Sequence, residues 1–201
     1  PFRITVRGEW AHGSVPRDDN AAVLAAAVIE RLAAPGPVRI TPVMERFLAG
    51  VAAELPDAAA ILDALAGDDP SRAEAAIAAA CDAHAARVLR ALVRDSISPT
   101  VVRAGIKYNV IPGEAAGYVD GRVLPGTEDE FRAVLDELTG PDVAWEYAHR
   151  EGPLEAPLGA PLMDSMARAL LAEDPGAVVV PYCMSGGTDA KHFTEVGMRA
   201  F

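Results

Sequence analysis

The sequence predicts an α+β fold, a split βαββαβ sandwich of four antiparallel strands with two helices on one face, followed by an incomplete α/β segment. Three observations predict it. Short stretches alternate apolar and polar residues at the period of a half-buried strand. Two helical patterns, each with its own start signal, stand between those stretches. A long alanine-rich helical block at 43–94 interrupts the order without adding a strand. With that block set aside the order is strand, helix, strand, strand, helix, strand.

Each element has a local reason. Phe2, Ile4 and Val6 alternate with Arg3, Thr5 and Arg7, which makes the opening strand. Gly8 to Asp19 reads as a loop, and Asn20 caps a helix from Ala21 to about Ala33, ended by Pro35-Gly36-Pro37. In the helical block, Met44, Phe47, Leu48, Val51 and Leu55 recur at helical spacing, and Ile61, Leu62 and Leu65 extend the stripe. Ser71 with Glu74 reads as a capping box for one helix running to Arg94, with Ile77, Cys81, His84, Val88 and Leu92 on its packed face. Thr100 to Val110 and Glu114 to Leu124 are β-like and joined by Ile111-Pro112-Gly113, which predicts a hairpin. Thr127 with Glu130 forms a second capping box, and Phe131, Val134, Leu135 and Leu138 give that helix a buried stripe. Val143 to His149 is the last strand of this ferredoxin-like domain, expected over residues 1–151 with the helical insertion inside it.

Gly152 to Pro161 holds three prolines and two glycines and reads as a linker. Residues 152–201 then form a second, partial domain. A helix from Leu162 to Ala172 leads to an all-apolar stretch, Ala177 to Val180, then to Ser185-Gly186-Gly187-Thr188, a short helix and an apolar end at Gly197 to Phe201. Continuously apolar strands alternating with helices indicate a parallel sheet buried on both faces, and two strands cannot build one alone. The missing strands are expected elsewhere, so the chain reads as part of a larger enzyme. It opens without Met inside a strand pattern, and a natural N-terminus is expected upstream.

Composition excludes some functions. A formal charge of −11 with no basic run argues against nucleic acid. No apolar run approaches the ~20 residues of a membrane span. No signal peptide is evident, and a cytoplasmic location is the expectation. Cys81 and Cys183, one in an alanine-rich helix and one in an apolar stretch, read as buried free thiols rather than a disulfide framework.

Several residues are candidates for chemistry. His12 sits in a loop between Gly8 and Gly13, where an imidazole is placed to polarise or transfer protons; a surface histidine bonded to its own loop is the alternative. Ser14 is too near in sequence to be expected to align with it as a nucleophile. In the hairpin, Ile106, Tyr108 and Val110 point one way and Lys107 and Asn109 the other. Asp120 and Arg122 share a face of the next strand; Arg122 suits a carboxylate, and an ion pair with Asp120 is the alternative. The Ser185–Thr188 run lets backbone N–H groups approach a ligand, and Asp189, Lys191 and His192 open a helix whose start favours an anion. Asp189 and His192 share one helical turn, but two ligands make no zinc site, and a helix-capping Asp189 is the plainer reading.

Taken in order, these pieces resemble one family. Gly8-Glu9-Trp10-Ala11-His12-Gly13-Ser14-Val15-Pro16 looks like the histidine loop in the lid, or dimerisation, domain of the zinc amidohydrolases and exopeptidases that include aminoacylases, carboxypeptidase G, carnosinase-like dipeptidases and succinyl-diaminopimelate desuccinylase. Asn109-Val110-Ile111-Pro112 resembles the lid hairpin, Val119 to Gly126 the following strand, and Ser185 to Asp189 the catalytic domain's substrate loop. The resemblance implies a homodimer joined through the lid and a catalytic domain with two zinc ions. It implies a catalytic role for His12 at the partner's active site, stabilising the oxyanion. Asn109 and Arg122 would hold the substrate's amide or carboxylate, and Gly187 and Thr188 would bind substrate from the catalytic side. The family's metal ligands and glutamate base match nothing in this sequence, so no residue here is assigned to metal. The implied reaction is hydrolysis of an N-acyl amino acid or small peptide by a zinc-activated water, with this chain alone expected to be inactive. A self-standing ferredoxin-like dimerisation or ligand-binding module without catalysis is the alternative.

Overall fold

A computed structural model describes residues 1–52, 54–67 and 69–200, arranged as two units. The first comprises residues 1–36 and 95–152. Its sheet contains β1 (Phe2–Arg7), β3 (Ser96–Ala104), β5 (Glu114–Arg122) and β6 (Val143–Tyr147) in the order β3-β5-β1-β6, with every neighbour antiparallel. A separate two-stranded ladder joins β2 (Ala11–His12) to β4 (Val110–Ile111). The expected antiparallel sandwich is present. Alternation drives it: Phe2, Ile4 and Val6 are buried, while Arg3, Thr5 and Arg7 take the other face.

Against the buried face lie α1 (Ala21–Leu32) and α6 (Glu128–Thr139). Ala25, Val28 and Leu32 from α1 meet Phe131 and Leu135 from α6 over Phe2, Ile4, Ala115 and Val119. The Asn20 side chain accepts the Ala22 N–H at 3.0 Å, which is the expected cap. Thr127 behaves differently from the expected capping box. Its hydroxyl lies 2.8 Å from Asp95 Oδ1 and 2.9 Å from the Leu124 carbonyl, so it ties down the approach to α6 and makes no cap bond.

The hairpin also differs from expectation. Ala104 pairs with Ala115, which leaves residues 105–113 as a long connection instead of a turn at 111–113. Lys107 and Asn109 are therefore in a loop, and Ile106 and Tyr108 are fully exposed rather than inward. Gly105, at φ +69°, breaks the strand where the alternating pattern continues.

The second unit comprises residues 37–94 and 153–200. The helical block thus groups with the C-terminal segment and not with the sheet, which differs from its placement inside a domain of residues 1–151. It holds α2 (Pro42–Val51), α3 (Pro56–Leu65), α4 (Pro70–Ala80) and α5 (Ala83–Leu92), around a core of Met44, Leu48, Ile61, Ile77, Leu89 and Leu92. Ala53 and Asp68 of the expected helical block lie outside the described residues. The single helix expected from Ser71 to Arg94 is two. Asp69, not Ser71, caps α4, and Asp82 caps α5 by accepting the His84 and Ala85 N–H groups at 2.8 Å. That second start shifts the helical phase: His84 and Val88 of the expected stripe are exposed and Ala86 and Leu89 are buried in their place, while Ile77 and Leu92 are buried as expected.

In the C-terminal segment α7 (Pro161–Glu173) buries none of its residues. Residues 177–180 form no strand, because a strand needs a hydrogen-bonded neighbour and none is present among the described residues. Residues 198–200 form none either, and Phe201, which ends the expected strand, lies outside the described residues. The six-residue α8 (Ala190–Glu195) follows the Gly-rich loop. No helix is long and apolar enough to cross a membrane, among the described residues.

Candidate functional site

His12 and Asn109 are brought together by the β2–β4 ladder. His12 lies opposite Val110, and the Gly13 N–H donates to the Asn109 carbonyl at 2.8 Å. The Gly8 N–H donates to the Gly113 carbonyl at 2.9 Å, so both loops are fastened at the Glu114 end of the sheet. The loop carrying His12 is closed at its base. A Cβ on Gly8 would overlap the Asp19 carbonyl oxygen, so only glycine permits this approach. Arg17 closes it again, with Nε 2.7 Å from Asp19 Oδ1 and a terminal nitrogen 2.7 Å from Glu9. The hydrogen bond from Arg17 holds the Asp19 carboxyl below its usual range and raises the guanidinium in turn. Arg17 and Asp19 were not among the sequence candidates; opposite charges two residues apart, just after Pro16, were the available signal.

The imidazole of His12 is exposed, and its tautomer follows from its partners. The Ser14 backbone N–H, which can only donate, points at Nδ1 from 3.2 Å, and Ser14 Oγ lies 2.7 Å from the same atom. Nδ1 is therefore the acceptor, and the proton of the neutral ring sits on Nε2. Ser14 thus meets His12 as a neighbour that orients the ring. The contact fixes the ring, leaving Nε2–H as an outward donor.

Arg122 stands apart from this pair. It ends β5 with its Nε donating to Asp120 Oδ2 at 2.7 Å, its side chain half-exposed, so the expected alternative ion pair is formed. β5 has 9 residues, and at strand rise its ends are about 26 Å apart. His12 and Asn109 are at one end of the sheet and Arg122 at the other.

Gly187 and Thr188 lie in the second unit, in an exposed loop. Thr188 Oγ1 accepts the Ala190 N–H at 3.3 Å, whereas Asp189 makes no side-chain cap bond, so the cap belongs to Thr188. His192 lies 3.5 Å from Glu195. Among the described residues no group of three or more His, Cys, Asp and Glu side chains is placed to hold a metal ion. Cys81 and Cys183 are free thiols. Burial, and secondarily Glu155, pushes the Cys183 thiol up.

Comparison with known proteins places these features in a family. A family model described as the peptidase dimerisation domain matches residues 2–140. A probable carboxypeptidase S-like 2 of Dictyostelium discoideum is 30% identical over 119 residues, covering 56% of this chain and 22% of that protein. A LysW-lysine/LysW-ornithine hydrolase of Saccharolobus solfataricus is 30% identical over 83 residues, covering 40% of this chain and 23% of that protein. Among solved structures, the M20 family metallo-carboxypeptidase Sso-CP2 from Sulfolobus solfataricus superposes with a TM-score of 0.57 at 16% identity, covering 98% of this chain and 55% of that one. Human carnosine dipeptidase 1 gives 0.55 at 14% identity, covering 97% of this chain and 45% of that one. These structural likenesses show the fold. The chain spans about half the length of those solved relatives, and its matches cover less than a quarter of the curated ones.

Proposed function

The chain belongs to the M20 peptidase dimerisation-domain family, and on that premise we propose that it forms the lid and part of the substrate wall of an amide hydrolase. The substrate is an N-acyl amino acid or a small peptide. Relatives whose names read carboxypeptidase, dipeptidase and hydrolase support amide cleavage as the class.

The β2–β4 ladder carries this reading. It sets His12 beside Asn109 with Nδ1 already occupied, which leaves Nε2–H as a fixed donor. A donor held in this way suits the oxygen that gains negative charge as an amide carbonyl is attacked, and it needs no reorganisation at that moment. The Asn109 side-chain amide offers two donors and an acceptor to the substrate's amide or carboxylate. Asp120 engages Arg122 through Nε, which orients the guanidinium, and its terminal nitrogens suit a carboxylate in bidentate fashion. Gly187 and Thr188, in an exposed loop, are assigned to substrate binding as well.

The separation along β5 bears on assembly. Both ends of a strand about 26 Å long cannot hold one small substrate. A homodimer in which each site takes His12 and Asn109 from one subunit and Arg122 from the other satisfies both assignments. The family resemblance implies two zinc ions, whose chemistry would be activation of the attacking water. The described residues do not fit a zinc centre, and no step here runs through one. In this reading the 201 residues alone hydrolyse nothing. Free thiols suit a reducing, cytoplasmic location.

The test is His12→Ala in the full-length protein. The expected loss in kcat is about 10²- to 10³-fold, the range for one oxyanion donor, with metal content unchanged. An unchanged kcat contradicts the assignment.

A further inference from the structure

We infer that α2, through Gly50 and Phe47, is the positioning element for the loop at 185–189. The inference rests on the reading above for that loop's role in binding substrate, and it gives the helical block a task.

The contacts run along the length of α2. Val180 lies so close to the helix backbone that a Cβ on Gly50 would overlap its Cγ1, while Val180 Cβ stands 3.5 Å from the same point. The Tyr182 ring packs edge-on against Phe47, with centroids 5.8 Å apart and planes at 69°. Cys183 packs against the cluster that holds Met44 and Leu48. Arg46 donates to the Leu158 carbonyl at 3.4 Å, so the same helix also holds the incoming segment. Val180, Tyr182 and Cys183 are thus seated, and the exposed loop begins only two residues later.

The loop has little to place it internally: residues 185–188 are exposed, and Thr188 caps a helix of only six residues. A segment with few buried contacts takes its position from where its base is fixed. Here the base is fixed by α2. Gly50 is the position where the fit is closest, because any side chain there lifts the segment off the helix.

Gly50→Ala separates this role from general stability, because alanine is a better helix former than glycine. The variant favours α2 while pushing Val180 away. In the full-length protein, labelling of the partly buried Cys183 thiol by a maleimide should quicken about tenfold, with labelling of Cys81, at the end of α4, unchanged. KM should rise about tenfold with kcat within about twofold, as expected for lost substrate binding. Adding Val180→Ala removes the overlapping Cγ1 and should restore both. Phe47→Leu keeps an apolar side chain, loses the ring contact and should shift both readouts the same way by less. Unchanged Cys183 labelling in Gly50→Ala overturns the inference. General loosening of α2 to α5 that the second substitution does not rescue also overturns it. Cys183 labelling that quickens and is rescued while KM stays put leaves the anchor standing and removes the substrate role given to Gly187 and Thr188.

Discussion

Helices α1 and α7 have nearly the same length, 12 and 13 residues, and both carry an apolar stripe. In the sheet-bearing unit, α1 buries Ala21, Ala25, Val28 and Leu32. In the second unit, Leu162, Met166 and Leu170 repeat every four residues on α7 and each remains at least half exposed. The difference teaches what periodicity reports. An apolar stripe says that a helix has a face suited to burial; it does not say where the covering surface is. The same holds for strands: Phe2, Ile4 and Val6 find partners in β5 and β6, while the more apolar stretch at 177–180 pairs with nothing among the described residues.

The comparison can be broken by mutation. Leu135 is fully buried between α6 and the sheet, so Leu135→Ala should cost about 2–5 kcal/mol in urea unfolding. Leu170→Ala in the same 201-residue chain should change stability by less than about 0.5 kcal/mol. Equal costs would mean that α7 is packed as firmly as the sheet unit. Capping gives a smaller contrast. Asn20→Ala should cost about 1 kcal/mol by freeing the Ala22 N–H, whereas Asp189→Ala should shift the unfolding midpoint by less than the assay resolves, because Asp189 makes no cap bond.

The smallest expected effect concerns pH and the loop that carries His12. Asp19 has a lowered folded-state pKa because Arg17 hydrogen-bonds its carboxylate. The stabilisation is therefore complete above the ordinary aspartate pKa and is lost as pH falls through the depressed value. Exchange protection of amides at 9–19 should hold at neutral pH and weaken only in acid. Loosening on raising the pH from 5 to 8, about the range in which histidine titrates, would mean that Arg17 and Asp19 are not what closes the loop.

Much of the sheet unit was legible in the sequence because its signals are local. Period-two alternation in residues 2–7, the cap at Asn20 and the stripe from Phe131 each sit inside the element they specify. The connection at 105–113 was misread because alternation continues through Ile106, Tyr108 and Val110, while the decisive events are Gly105 at φ +69° and the distant pairing of Val110 with His12. The break between α4 and α5 depends on Asp82 outcompeting a continuous alanine-rich helix, which the stripe alone conceals. His12 and Asn109 were both legible as candidates. Their juxtaposition was not, because it is made by a two-residue ladder between segments about a hundred positions apart. Arg17 left only a faint trace, a basic residue between Glu9 and Asp19.

The central claim is that one active site takes His12 from one subunit and Arg122 from the other. Mixing inactive His12→Ala and Arg122→Ala homodimers of the full-length protein, with subunit exchange, tests it most directly. Half of the reassorted dimers are mixed, and in each of those one site keeps both residues and the other loses both. The account therefore predicts recovery of about a quarter of wild-type activity. If His12 and Arg122 of one chain served the same site, every site in the mixture would lack one of them and no activity would return.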